Sequence, residues 1–170
     1  MLVTRRSGLA LTVTLLALMG TSAARAADTA IQVSLWDKGP DSMMMDTMPM
    51  MGMGSGMSGG DMMKAMMGIK LDATSVPAGR VTFNVSNDSK DMVHEMVISP
   101  IASVDAALPY LKDENKIDED AAGHLGEVAE LEPAKTGTLA IDLQPGLYLL
   151  YCNIPGHFVN GMWSVLTVTP

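Results

Sequence analysis

The chain is short of sulfhydryls, histidines and positive charge. Its 170 residues include one cysteine, Cys152, and three histidines. A lone cysteine leaves an intermolecular bridge, a free thiol or a metal ligand as its role. Lys and Arg number 11 against 19 Asp and Glu, a net charge of −8. Such a surface repels nucleic acid and anionic lipid and favours cationic partners or metal ions. There is no Gly-rich phosphate loop, no nucleophile triad and no basic aromatic patch. Beyond residue 26 no run is long and apolar enough to span a bilayer.

The first 26 residues read as a secretory signal peptide. Arg5 and Arg6 give a positive start, Gly8 to Met19 is apolar and uncharged, and Ala24-Arg25-Ala26 offers a small-x-small cleavage site. About a dozen apolar residues are too few for the roughly 30 Å hydrocarbon core. The Arg5-Arg6 pair is compatible with Sec or twin-arginine export. Cleavage removes Arg5, Arg6 and Arg25, three of 11 bases, so 8 remain against 19 acids and the net charge becomes −11. Residues 27–170 are enough for one domain, and a periplasmic or otherwise exported monomer is expected.

Ile31, Val33 and Leu35 alternate with polar residues, the pattern of a half-buried strand. Val81, Phe83 and Val85 repeat it after the turn Val76-Pro77-Ala78-Gly79, and Val93 to Ile98 predicts another strand. Further strands are expected at 138–143, 147–152 and 163–169. Residues 101–130, rich in Ala, Leu, Asp and Glu, predict short helix and loop. Many short strands between Pro/Gly turns indicate an all-β sandwich with one helical/loop insertion. Trp36, Phe83 and Trp163 are candidate core. His124 reads as solvent-exposed, with only a weak case for a second metal site with Glu127. The acidic run Asp113, Glu114, Asp118, Glu119 and Asp120 reads as a solvated face able to steer a basic partner.

Residues 37–68 form a Met-, Gly-, Ser- and Asp-rich flexible insertion. Twelve of the 25 residues from 43 to 67 are methionine, with no periodic apolar face. Thioethers are soft, uncharged ligands suited to Cu(I). The bland alternatives are a low-complexity loop or an apolar flap, since methionine also fills irregular gaps.

Between the last two predicted strands lies Tyr151-Cys152-Asn153-Ile154-Pro155-Gly156-His157-Phe158-Val159-Asn160-Gly161-Met162, a Cys-x4-His-x4-Met spacing. With the distant His94 it assembles a thiolate, two imidazoles and a thioether. That set suits copper, with two His and one Cys in a trigonal plane and Met at a weak axial position. Zinc tolerates the first three donors, but thioether is not its usual ligand. Each residue alone would more often be structural; the joint spacing carries the assignment.

On these residues the chain resembles the cupredoxins, the type 1 or blue-copper proteins, with a loop similar to the rusticyanin-like and auracyanin-like members. The resemblance implies a Greek-key β-sandwich. It also implies one copper held by His94, Cys152, His157 and Met162, and places the loop after the first strand at the copper end. Many members have Asn or Ser after the first histidine, tying the two ligand loops. Here Glu95 stands there, a departure that bears on the rigidity, potential and colour of the site. Tyr151 and Asn153 beside the cysteine exclude a trinuclear cluster, and one cysteine excludes a binuclear site, so the chain is not expected to be an enzyme. Two functions follow: periplasmic copper handling with extra Cu(I) on the Met-rich segment, or a simple electron shuttle. The partner would be a redox protein such as a cytochrome, or a copper-handling protein. An apolar patch of Ile154, Pro155, Phe158 and Val159 around His157 is the expected docking edge.

Overall fold

The structure is a computed structural model and describes residues 28–39 and 65–170. The signal segment 1–26 and residues 40–64, most of the methionine stretch, lie outside the described residues.

Two sheets form the fold. One contains β1 (Thr29–Asp37), β2 (Met67–Leu71), β4 (Gly79–Asn87) and β9 (Thr136–Leu143) in the order β2-β1-β4-β9. The other contains β3 (Ser75–Pro77), β5 (His94–Ile101), β8 (Gly126–Leu131), β10 (Gly146–Tyr151) and β11 (Trp163–Thr169) in the order β3-β11-β10-β5-β8. β1 runs parallel to β4 and β3 parallel to β11; the other neighbours are antiparallel. Chain order and neighbour order therefore differ, because the chain crosses between the sheets after β2, β3, β4, β8 and β9. This is the all-β sandwich expected from the sequence.

Period-2 alternation sets the inner face. Ile31, Val33 and Leu35 of β1, Val81, Phe83 and Val85 of β4, and Met96, Ile98, Tyr148, Leu150 and Leu166 of the facing sheet make one buried core. The even positions of β1 point the other way. Trp36 is accordingly half-buried and lies on Gly68, where an added Cβ would come within 2.9 Å of its indole ring. Trp163 is also only half-buried. Of the three aromatics expected in the core, Phe83 alone is fully enclosed.

A second apolar cluster covers the outer face of the five-stranded sheet. Val97, Leu149 and Tyr151 point outward, and Ile117 and Phe158 close over them. The segment after β5 supplies that cover. It holds the two-residue strands β6 (Tyr110–Leu111) and β7 (Lys116–Ile117) and the single-turn helix α1 (Glu119–Ala122). Asp118 caps α1 by accepting from the Ala121 amide (3.0 Å). The short helix and loops were expected here, but Gly126–Leu131 is a strand. Its sequence, Gly-Glu-Val-Ala-Glu-Leu, has helix-favouring residues, and pairing with β5 at a sheet edge overrides that local preference.

At this edge β8 also meets β9 of the opposite sheet. A Cβ on Gly137 would lie 2.3 Å from Cγ1 of Val128, whose branched side chain has little freedom to yield. Gly137→Ala is expected to lower unfolding free energy by about 1–3 kcal/mol. The same change should cost less in a Val128→Ala background, since the two sites share one contact. Urea denaturation of the four proteins reads this, and an unchanged midpoint for Gly137→Ala would contradict the packing.

Candidate metal centre

Two separate stretches deliver the candidate ligands to one end of the sandwich. His94 opens β5. The turn before it is pinned by the buried Asn87, whose amide donates to the carbonyls of Met92 (2.8 Å) and Leu131 (2.7 Å) and accepts from the Ser89 amide (3.0 Å). Cys152 directly follows β10 and Met162 directly precedes β11, so the loop between them closes a hairpin whose last strand pair is Tyr151 and Trp163. The Cys152 amide donates to the Met162 carbonyl (3.0 Å), and the Met162 amide donates to the His157 carbonyl (3.1 Å). Gly156 and Gly161 take φ of 85° and 97°, left-handed values that glycine adopts without steric cost and that turn His157 and Met162 inward.

The outcome is a tight cluster. One donor atom each from His94, Cys152 and His157 lies within 4.8 Å of the others. His157 Nδ1 is 3.2 Å from His94 Nδ1 and 3.3 Å from Cys152 Sγ. His94, Cys152 and Met162 are fully buried, and His157 is 5% exposed. Met162 shares the buried core with Cys152, and its backbone is tied to both other loop ligands. Burial, reinforced by the neighbouring His94, pulls His157 down to about 4, while burial pushes the Cys152 thiol up to about 12. Both imidazoles are therefore neutral near pH 7, with lone pairs to donate. The thiol must lose its proton to bind a metal, which a coordinated cation makes favourable. A buried thiol and two neutral imidazoles turned on one another fit a soft or borderline metal ion.

Two features around the cluster were not visible in the spacing of the sequence. Asp37, the last residue of β1, accepts from His94 Nε2 through Oδ2 at 2.9 Å. It lies 57 positions from His94, and no local pattern marks it. Asn153, beside the cysteine, clamps the ligand loop to the segment after β5. Its Oδ1 accepts from the Ile117 amide (2.7 Å), and its Nδ2 donates to the Ile117 carbonyl (2.9 Å) and to Glu119 (2.7 Å). The Gly156 amide adds a bond to the Asn115 carbonyl (2.9 Å).

Glu95 ties the two ligand-bearing stretches together. Its Oε1 accepts from the Asn153 amide at 3.0 Å, linking the His94 strand to the Cys152 loop. The ladder between β5 and β8 slips between His94 and Met96, next to this residue. The docking edge differs from the sequence expectation as well. Phe158 is buried because the 3-10 turn Phe158–Asn160 points its ring at Tyr151, Tyr110 and Trp163. Pro155 remains exposed, and Ile154 and Val159 are half-buried. His124 is exposed, as expected.

Burial, with Glu119 nearby, raises Glu95 to about 7, above its ordinary 4.5. A carboxyl whose folded pKa is raised binds protons more tightly in the native state than in the unfolded one. Its contribution to stability is thus fullest below pH 4.5 and declines as pH rises to about 7. For the metal-free protein, Glu95→Gln should remove a fall on the order of 1–3 kcal/mol over that interval. Chemical denaturation at several pH values reads the difference, and identical pH profiles for the two proteins would contradict it.

Comparisons with known proteins agree with this architecture. Residues 132–170, which carry Cys152, His157 and Met162, match the sulfocyanin (SoxE) domain family. No curated protein sequence matches the chain. A crystal structure of two substituted forms of rusticyanin aligns with TM-score 0.50 at 17% identity, covering 84% of this chain and 79% of that one. Rusticyanin from Thiobacillus ferrooxidans aligns at TM-score 0.49 and 18% identity over the same shares. Reduced auracyanin from Roseiflexus castenholzii aligns at TM-score 0.46 and 17% identity, covering 85% of this chain and 99% of that one. With its two sheets and its sulfocyanin-like C-terminal stretch, the chain has a cupredoxin-like β-sandwich fold, similar to that of rusticyanin.

Proposed function

We propose that the protein is an exported type 1 copper protein of periplasmic copper handling, with His94, Cys152, His157 and Met162 as the ligands of one copper ion. The observation that carries this reading is the buried convergence of two neutral imidazoles and a thiol within 4.8 Å. Bound copper supplies one-electron chemistry between Cu(II) and Cu(I). The thiolate and thioether favour the reduced ion while the imidazoles serve both states. The ligands are enclosed, and their loops are held by Glu95, Asn153 and Asn115. This supports a site that changes little on reduction and admits no substrate, hence electron transfer or metal holding without an enzymatic reaction.

The copper-handling role rests on the methionine-rich segment. Its two ends meet at the site: the Lys38 amide donates to the Met66 carbonyl (2.9 Å), and Asp37 pairs with Met67. Asp37 reaches His94, and Ala65 lies where a Cβ on Gly161 would be 3.2 Å away. A stretch with 12 methionines in residues 43–67 thus leaves and rejoins the fold beside the ligands. This supports Cu(I) binding there, feeding or buffering the type 1 centre. The amino-terminal pattern of residues 1–26 supports export. No helix among the described residues is long and apolar enough to cross a membrane.

A simple electron shuttle is the second reading, favoured by the exposed Pro155 near His157, which of the two candidate ligand imidazoles is the one with residual exposure. The partner would be a cytochrome or another copper-handling protein. Two measurements separate these readings. Cu(II)-loaded wild type should show an intense visible thiolate-to-copper band that Cys152→Ser abolishes; retention of colour would overturn the centre itself. In Cu(I) titration, wild type should bind more ions than a variant lacking residues 43–67. One equivalent in both would leave the shuttle.

A further inference from the structure

His94 is held at both edges of its ring. Nδ1 faces His157 Nδ1 at 3.2 Å, inside the cluster, and Nε2 faces Asp37 Oδ2 at 2.9 Å, outside it. Asp37 is itself fixed. The Gly39 amide donates to its Oδ1 at 2.6 Å, the Ser89 hydroxyl adds a second bond, and its side chain is 4% exposed. Both carboxylate oxygens thus face donors, Oδ1 the Gly39 amide and Oδ2 the His94 ring. A carboxylate accepts, which puts the ring proton on Nε2 and turns the lone pair of Nδ1 into the cluster.

We propose that Asp37 is a positioning residue of the metal centre: it selects the His94 tautomer, fixes the ring plane and strengthens Nδ1 as a donor to the oxidised ion. The inference rests on the copper reading above and adds to it a determinant of affinity and potential. A carboxylate behind a ligand imidazole orients the ring and raises its basicity, and losing such a partner typically costs about 10–100-fold in metal affinity. The gain is larger for Cu(II) than for Cu(I), because the doubly charged ion draws more on the imidazole lone pair. Asp37 therefore holds the reduction potential down.

The same carboxylate stitches three elements together. It ends β1, takes the Gly39 amide just before the methionine-rich segment, and meets Ser89 in the turn that delivers His94. Ser89 in turn accepts from the Met92 amide at 2.9 Å, so the turn and the carboxylate brace one another. A residue placed only to fill space would not have all of its oxygens engaged and one of them aligned with a ligand ring.

The test has two arms. In metal-free wild type, nitrogen NMR of the three histidines should show His94 as the single Nε2–H tautomer; a proton on Nδ1 would overturn the inference. In copper-loaded protein, Asp37→Asn keeps an acceptor for Nε2–H but removes the charge, while Asp37→Ala removes both. Asp37→Asn should weaken Cu(II) about tenfold more than Cu(I), which raises the potential by about 59 mV for one electron. Asp37→Ala should raise it further and broaden the Cu(II) magnetic resonance spectrum as the ring loses its anchor. An unchanged potential in a folded Asp37→Asn protein would overturn the inference. If wild type took up no copper, the proposed function would fall, and the metal-free tautomer would still decide the role of Asp37.

Discussion

Three donor atoms that would each prefer water are turned toward one another in the dry end of a β-sandwich. His157 Nδ1 lies 3.2 Å from His94 Nδ1 and 3.3 Å from Cys152 Sγ, on residues that are at most 5% exposed. Burial of polar groups is unfavourable unless they gain partners, and here the partners are mainly each other. The same burial that keeps the imidazoles neutral keeps the thiol protonated. Among the described groups, only the thiol must lose a proton to a metal ion, and the remaining donors are already in binding form. The rest of the structure can be understood as support for this arrangement.

That support comes from both faces of the five-stranded sheet. The inner face packs Met96, Ile98 and Leu150 against the opposite sheet and fixes the strands that carry His94 and Cys152. The outer face would expose Val97, Leu149 and Tyr151, had the segment after β5 not folded over it. Its cover also reaches the ligand loop, through Asn115, Ile117 and Glu119 on Gly156 and Asn153. Glu95, on the outward side of β5, joins the two systems through the Asn153 amide. Rigidity of the site is therefore a tertiary property, shared among a strand, a hairpin loop and a segment that lies between them in sequence.

How far the sequence could be read follows from the range of each interaction. The strands at Ile31 and Val81 were legible because alternation is local. The candidate loop ligands stood out because Cys152, His157 and Met162 share one short stretch, and the structure brings Cys152 and His157 together with His94, at the start of β5. Asp37 was not legible, since its contact with His94 spans 57 positions and any acidic residue could have filled the role on paper. The strand at Gly126–Leu131 was hidden because its residues favour helix and its edge position depends on β5. Glu95 after the first histidine stands out in the sequence, but not what it touches. Only the 3.0 Å bond from the Asn153 amide shows that its carboxylate ties the two stretches. Trp36 and Trp163 were misplaced by size: bulk suggested the core, whereas strand parity put Trp36 on the outer face.

The proposed function stands on a bond between Cys152 and copper within a shell that also contains both imidazoles. X-ray absorption at the copper edge of the fully loaded full-length protein tests it directly. The spectrum should give one short sulfur distance together with two imidazole nitrogens, and that short distance should be lost in Cys152→Ser. A copper environment made only of long thioether sulfurs, or only of nitrogen and oxygen, would contradict it.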